Sequence, residues 1–541
     1  MSRVVACVVC LLVLSASIAA GADEREPRRS DADGARIVEL YPNPVVDEDR
    51  GEFVVVTLPN ASDGWSLADG ESTVRIPDGT SGRVALSPDP DSAAESTDHR
   101  VVEVSDRLAL ANDGERVRLL RDGDAVDAVS YDDAPEGERW IRDGEPRWRP
   151  LGYEPRSAVD AGPATARAFV LPDDPAVPTA ALRRADRRIL LAAYTFTSRD
   201  VADELVAAVE RGVSVRVLVD DAPVGGIAAR EATVLDRLTA SGVEVEVIGG
   251  ERARYAFHHP KYAVVDDRAL VMTENWKPSG TGGRGSRGWG VEVESSDTAA
   301  ELAGVFDADA GWRDSTPWRE FRRGQTFVES EPADGRYASR VETERVEVDR
   351  VRVVTAPGNA EEAIVDELDG ASERIDVVQP TVDDRTHPFL RASVRAAERG
   401  VRVRILLSGA WYVEEDNRAL VDSVNGYAER RSLPLEAQIA EPRGRYEKIH
   451  AKGIVVDDRV VLGSVNWNNA SVRENREVAL VLESEAAAAY YRGVFEADWD
   501  TGKPPIPVGL VAAVVAVVLG ALAYARRRIG FAAETRGGEK G

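Results

Sequence analysis

The chain has 541 residues, 43% of them hydrophobic, with 94 acidic against 68 basic residues and a net charge of −26. That length predicts three or four domains, and that hydrophobic content excludes wholesale disorder. Two cysteines (Cys7 and Cys10) and five histidines exclude a disulfide scaffold and a Cys-rich metal framework, and the acidic balance excludes a basic nucleic-acid-binding surface as the dominant feature.

The basic residues are sixty-two arginines and six lysines. Acids are spread along the whole chain rather than blocked. This pattern fits a surface adapted to high salt better than an acidic interaction patch. At molar salt the screening length is about 3 Å, so net charge then says little about which anions can approach.

In chain order, residues 1–22 read as a secretory signal. Arg3 supplies a positive start, Val4–Leu14 is an unbroken apolar run, and Ala20-Gly21-Ala22 fits an A-x-A cleavage pattern. Both cysteines lie inside it.

Residues 32–150 alternate apolar and polar. Arg36–Leu40, Glu52–Leu58, Thr73–Ile76, Val101–Val104, Val117–Leu120 and Ala125–Tyr131 read as strands, separated by turns such as Asp78-Gly79 and Asp122-Gly123-Asp124. The spacing predicts a β-sandwich. The segments GEFVVVTLPN, DGWSLADGE and LALANDGERVRLLRDGDAVDAVSY resemble the lamin-tail domains, an immunoglobulin-like family. The resemblance implies a binding or spacer module. His99 reads as a solvated loop residue.

From about residue 165 the chain repeats itself. Arg187–Pro223 and Glu373–Trp411 each read as apolar strand, amphipathic helix, Arg-Gly and second apolar strand. These are βαβ units, with Gly212 and Gly400 where a helix C′ residue falls, offset by 188 positions. The two halves are expected at 165–325 and 345–500.

Each half carries one further motif. HPKYAVVDDRALVMTENW runs from His259 to Trp276, and HAKGIVVDDRVVLGSVNW from His450 to Trp467. Both contain H-x-K-x4-D, with an Asn sixteen residues after the His. The residues are His259, Lys261, Asp266 and Asn275, then His450, Lys452, Asp457 and Asn466. Two of only six lysines and two of only five histidines thus fall at matched positions, which random placement rarely achieves. A His and a Lys two apart on a strand share a face. A hairpin turn centred on Asp267 or Asp458 sets the His opposite the Asn.

Two such halves face to face give two imidazoles, two ammoniums and two carboxamides around one site. The cations and amides suit a phosphate. The imidazoles suit a two-step displacement through a covalent phosphoryl-histidine, with one His as nucleophile and the other as acid and base. Lysine charge makes a metal or other cofactor unnecessary.

The duplicated motif is similar to that of the phospholipase D superfamily, over residues 165–500. The resemblance implies one active site between two α/β halves. It implies His259 as nucleophile and His450 as general acid and base. Lys261, Lys452, Asn275 and Asn466 would hold phosphate, with Asp266 and Asp457 in support or simply forming turns. Glu477, in NREVALV, resembles the family glutamate that hydrogen-bonds a catalytic His, and Gly463-Ser464-x-Asn466 matches the usual form. The first half departs, with Met272-Thr273-x-Asn275 and with Gly288 at the place equivalent to Glu477. It also carries a Gly- and Arg-rich insert, Ser279–Gly288. His258 reads as a neighbour of the site and His387 as structural.

Residues 506–525 read as a transmembrane helix. Val508–Ala525 carries no charge and would span about 27 Å. Arg526-Arg527-Arg528 would start a cytoplasmic basic tail, 526–541, leaving the bulk of the chain extracellular at the cell membrane. The resulting fold class is a β-sandwich, then a duplicated α/β phospholipase D fold, then one C-terminal transmembrane helix.

The expected activity is phosphodiester cleavage or transfer, on phospholipid. A metal-independent nuclease, with Arg284 and Arg287 contacting phosphates, is the alternative. A catalytically weak surface-binding protein is a third reading, opposed by the intact motifs. No obligate protein partner is evident.

Overall fold

A computed structural model describes residues 34–500, apart from 46–49, 60–62, 106, 143–146, 251–252 and 384. The chain divides into two compact units at Tyr153/Glu154.

The first unit is built from a six-stranded and a four-stranded sheet. Phe53–Leu58 is the most buried strand, paired antiparallel with Arg36–Tyr41 and Gly82–Ser87. Trp65–Ala68, Thr73–Arg75, Glu115–Arg121 and Asp124–Tyr131 form the smaller sheet. Ile37, Leu40, Val54 and Val56 from one sheet and Trp65, Leu67, Val117 and Leu119 from the other share one core. Alternation along each strand supplies these inward faces. His99 is half-buried, with Nε2 3.9 Å from Glu39 Oε2, rather than a solvated loop residue.

The second unit contains two similar sheets. In the first, parallel strands Arg188–Ala193, Ser214–Asp220 and Glu244–Ile248 adjoin the antiparallel hairpin Tyr262–Val265/Arg268–Met272 and the long strand Ser286–Glu294. In the second, Arg374–Gln379, Arg402–Leu407 and Leu435–Ile439 are parallel. They adjoin the hairpin Gly453–Val456/Arg459–Gly463 and the strand Glu477–Glu483. The near-continuous Val, Ile and Leu of the central strands reflect burial on both faces.

Gly212 and Gly400 have φ of 91° and 97° and end the helices Arg199–Glu210 and Pro388–Glu398 in the left-handed conformation. The equivalent helices Ser296–Ala310 and Glu485–Trp499 each also touch the other half's sheet. Ser295 and Ser484 cap them.

The expected C-terminal transmembrane helix is corrected. No helix among the described residues is long and apolar enough to cross a membrane. The longest, Glu414–Arg431, has three acids in its first turn and two arginines in its last. It buries only Asn417, Val424 and Ala428, because it covers one face of a sheet. Among the described residues the fold is therefore a β-sandwich unit and a duplicated α/β unit, and nothing in them supports the expected single-pass protein at the cell membrane. Residues 1–22, 506–525 and 526–541, with Cys7 and Cys10, lie outside the described residues.

Candidate active site

The two motif hairpins close with tight two-residue turns. Val265 pairs with Arg268, and Val456 with Arg459. Asp266 and Asp457 adopt φ of 55° and 49°, as such turns require. The turn is thus centred one half-residue earlier than expected. Met272 N–H donates to Lys261 O at 2.9 Å, so the register slips by one relative to a turn centred on Asp267. A one-residue slip changes which side chains share a face.

The aspartates stand away from the histidines, at the far end of four-residue strands of roughly 13 Å. Asp266 accepts backbone N–H bonds from Asp186, Arg187 and Arg188 at 2.9, 2.9 and 3.0 Å. Asp457 accepts from the N–H groups of Ser372, Glu373 and Arg374 and from the Ser372 hydroxyl. Burial would raise both carboxyls, but these bonds outweigh it and hold them below the usual range. The structure does not bring Asp266 or Asp457 to the catalytic groups; both anchor turns.

The histidines meet across the halves with approximate two-fold symmetry. His259 N–H donates to Arg476 O at 2.9 Å, and His450 N–H donates to Arg287 O at 3.0 Å. His259 Nδ1 lies 2.9 Å from both oxygens of Glu477. Ser471 Oγ donates to Glu477 Oε1 at 2.6 Å, and Ser464 adds a further bond. Burial alone would raise Glu477, but His259, Lys261 and these hydrogen bonds hold it low and ionised. An ionised acceptor at Nδ1 fixes the proton there and leaves Nε2 as the lone-pair nitrogen. Burial, against the attraction of Glu477, brings His259 down to about 4, so the imidazole is neutral near pH 7.

His450 has a different partner. Its Nδ1 stands 3.3 Å from Glu274 Oε2. Glu274 precedes Asn275, at the position matched by Val465 in the second half. The place equivalent to Glu477 is Gly288, and a Cβ there would lie 2.1 Å from Glu274 Cγ. The first half has therefore moved its carboxylate to another position, and the missing side chain at 288 makes room for it. Burial raises Glu274 to about 7 despite four neighbouring lysines. Burial and the charges of Lys452, Lys277 and Lys261 depress His450.

Lys261 and Lys452 are buried, and each donates to the carbonyl of the His two residues before it. Lys261 also lies 5.3 Å from the centre of the Tyr194 ring, which packs edge-on against His259 at 4.6 Å. Burial lowers Lys261, and it brings Lys452 to about 8. Asn275 is buried with no partner for Oδ1, while Asn466 donates its backbone N–H to Ser471 Oγ at 2.9 Å. Lys277 and Lys448 add charge beside Glu274. All four lysines of the described chain thus act on this site, though the motif names only two.

Other expected contacts fall elsewhere. Arg287 is buried between Asp173 and Asp498 under the Tyr446 ring, so it clasps the halves and cannot meet substrate phosphate. His258 is buried 3.4 Å from Asp309, and His387 packs between Phe389 and Trp467. The insert Ser279–Gly288 folds over Glu274. Gly285 O accepts Glu447 N–H at 2.7 Å, and Ser286–Arg287 pairs with Lys448–Ile449, which places His450.

Paired histidine–lysine hairpins, each completed by a glutamate of the other half, bring two imidazoles and two ammoniums to one site within the second unit. Comparison with known proteins follows the same two halves. The family described as cardiolipin synthase, PLD-like domain, matches residues 179–310 and 364–499. The mitochondrial cardiolipin hydrolase of Canis lupus familiaris is 30% identical over 108 residues, which is 20% of this chain and 38% of that relative's length. Among solved structures, phosphatidylserine synthase of Haemophilus influenzae Rd KW20 gives a TM-score of 0.47 at 14% identity, covering 67% of this chain and 96% of the other. The phospholipase D family member Nuc of Salmonella typhimurium gives 0.25 at 20% identity, covering 29% and 97%. The two matched segments mark a duplicated PLD-like domain in this chain.

Proposed function

We propose that the protein is a phosphodiesterase acting on phospholipids, by hydrolysis or head-group transfer, through a phosphohistidine at His259. The observation that carries this reading is the cross-half pairing of each histidine with a glutamate, His259 with Glu477 and His450 with Glu274. The two glutamates differ, and the difference sorts the roles. Burial holds His259 neutral against the pull of ionised Glu477, which fixes the ring proton on Nδ1 and leaves Nε2 free to attack. Glu274 and His450 share a proton available to a leaving oxygen.

In the first step His259 Nε2 forms a bond to phosphorus, the ester P–O bond breaks, and His450 gives its proton to the departing alkoxide. In the second, His450 takes a proton from water or an alcohol, whose oxygen displaces His259. Lys261, Lys452, Asn275 and Asn466 hold the non-bridging oxygens. Substrate anion offsets the lysine charge that depresses His450, so the acid becomes charged when it is needed. The first domain, read as a lamin-tail-like module at 32–150, serves binding or spacing; substitutions on its surface leave the rate on a soluble diester unchanged.

The test is a trapping experiment with bis(p-nitrophenyl) phosphate. The p-nitrophenolate leaves without an acid, so His450→Ala should accumulate base-stable, acid-labile phosphoprotein at His259. No label in that variant, with wild-type turnover intact, overturns the covalent route.

A further inference from the structure

Among the described residues, four large hydrophobic side chains are prominently exposed: Val224 (81%), Val328 (49%), Trp411 (87%) and Tyr412 (48%). Scattered exposed apolar residues are ordinary. These four are not scattered. Val224 lies in the loop that leaves strand Ser214–Asp220, and Trp411 and Tyr412 lie in the loop that leaves strand Arg402–Leu407. Those strands are equivalent in the two halves, and Tyr412 follows Val224 by the repeat offset of 188. Val328 flanks the first loop: its N–H donates to Ile227 O and its carbonyl accepts from Ala229 N–H, both at 2.9 Å. Gly225 and Gly226, with φ of 91° and 80°, turn the chain sharply just after Val224.

Both loops are at the carboxyl ends of parallel strands, the end at which open α/β sheets bind ligands. Each is tied to the site through one aromatic ring. Val224 N–H donates to Tyr194 Oη at 2.6 Å, and Tyr194 packs against His259. The Tyr412 ring centre lies 5.0 Å from Lys448 Nζ, two residues before His450.

We propose that these two loops form an apolar rim that seats on the surface of a phospholipid layer, presenting a head-group diester to the histidine pair while the acyl chains stay in the layer. This rests on the phosphodiesterase reading above and names how its substrate is met. Trp and Tyr suit the boundary between head groups and hydrocarbon. Val224 and Val328 are aliphatic and give a nucleobase no face to stack on. Glu414, Glu415 and Asp416, just beyond Tyr412, disfavour a polyanionic strand at this rim.

The test compares the full chain with its V224S/W411S variant, whose altered side chains are the two most exposed. Three quantities are measured: sedimentation with phosphatidylcholine vesicles, the rate on those vesicles, and the rate on soluble bis(p-nitrophenyl) phosphate. Vesicle binding and vesicle rate are expected to fall by about tenfold or more, with the soluble rate unchanged. Unchanged vesicle binding overturns the rim, as does an equal fall on both substrates. Loss of binding to a single-stranded oligonucleotide with vesicle binding retained assigns the loops to nucleic acid and also overturns it. If the wild type cleaves no diester yet sediments in a manner that needs Val224 and Trp411, the rim stands and the phosphodiesterase reading fails.

Discussion

Replacing Glu274 by Gln removes the carboxylate 3.3 Å from His450 Nδ1 while keeping its shape. Full opposite charges 3.3 Å apart attract by ~5 kcal/mol at an effective dielectric constant of about 20. Glu274 titrates at about 7, so near neutrality it carries only part of a charge. The net loss of transition-state stabilisation is then about 2–3 kcal/mol, or roughly 30- to 150-fold in rate. Gly288→Ala should copy the defect through geometry. Its methyl would arrive 2.1 Å from Glu274 Cγ, an overpacking of about 1–3 kcal/mol that is relieved by displacing the carboxylate. The exchange variant, Glu274→Val with Gly288→Glu, rebuilds the pattern of the second half and should recover much of the rate. The assay is steady-state hydrolysis of a diester with a poor, alkyl leaving group, followed from pH 4 to 9. Glu274→Gln within about twofold of wild type at every pH, with its alkaline limb unmoved, would refute the argument.

Two further outcomes follow from the same electrostatics and packing. In the free enzyme, kcat/KM should rise through a limb near pH 4, where His259 loses its proton and gains a lone pair, and fall between about 7 and 8 as Glu274 and Lys452 lose theirs; a rate that climbs steadily to pH 10 contradicts the assignment. Asp457→Ala removes four hydrogen bonds at a half-buried turn and places Ala at φ of 49°. It should cost about 2–4 kcal/mol of stability by thermal melting, yet leave kcat of the folded enzyme within about threefold; a collapse of kcat at unchanged melting temperature would return Asp457 to the catalytic centre.

The repeat was legible because strand, helix and glycine recur in register, and because rare residue types fell at matched positions. Glu274 was not legible. Internal alignment looks for a carboxylate at the place of Glu477, finds Gly288, and reads a loss. Only the backbone brings position 274 and position 288 to the same point in space. The assumed turn centre compounded the miss, since the extra half-residue set Asn275 rather than Glu274 across from His259. Arg287 misled in the opposite way. An arginine in a glycine-rich insert reads as a phosphate contact until two distant aspartates, Asp173 and Asp498, are seen to enclose it. In the sandwich, strands such as Gly82–Ser87 were overlooked because Arg83 and the flanking glycine interrupt a short apolar run.

Composition held one more signal than the motif used. A chain with sixty-two arginines and six lysines places four of those lysines, 261, 277, 448 and 452, around one carboxylate. The choice has a physical reason. A guanidinium stays charged at any accessible pH, whereas a buried ammonium can adjust its protonation and presents a compact charge from a flexible stem. Burial depresses Lys261, Lys277 and Lys452. Positive charge is therefore costly in this buried site, and Lys261 and Lys452 turn to the carbonyls of the histidines for partial relief. In the proposed mechanism an entering phosphodiester supplies the compensating anion. It draws the ammoniums toward full charge and raises the affinity of His450 for a proton. Binding and activation of the acid are then one electrostatic event, which arginine, charged at any accessible pH, could not couple in this way.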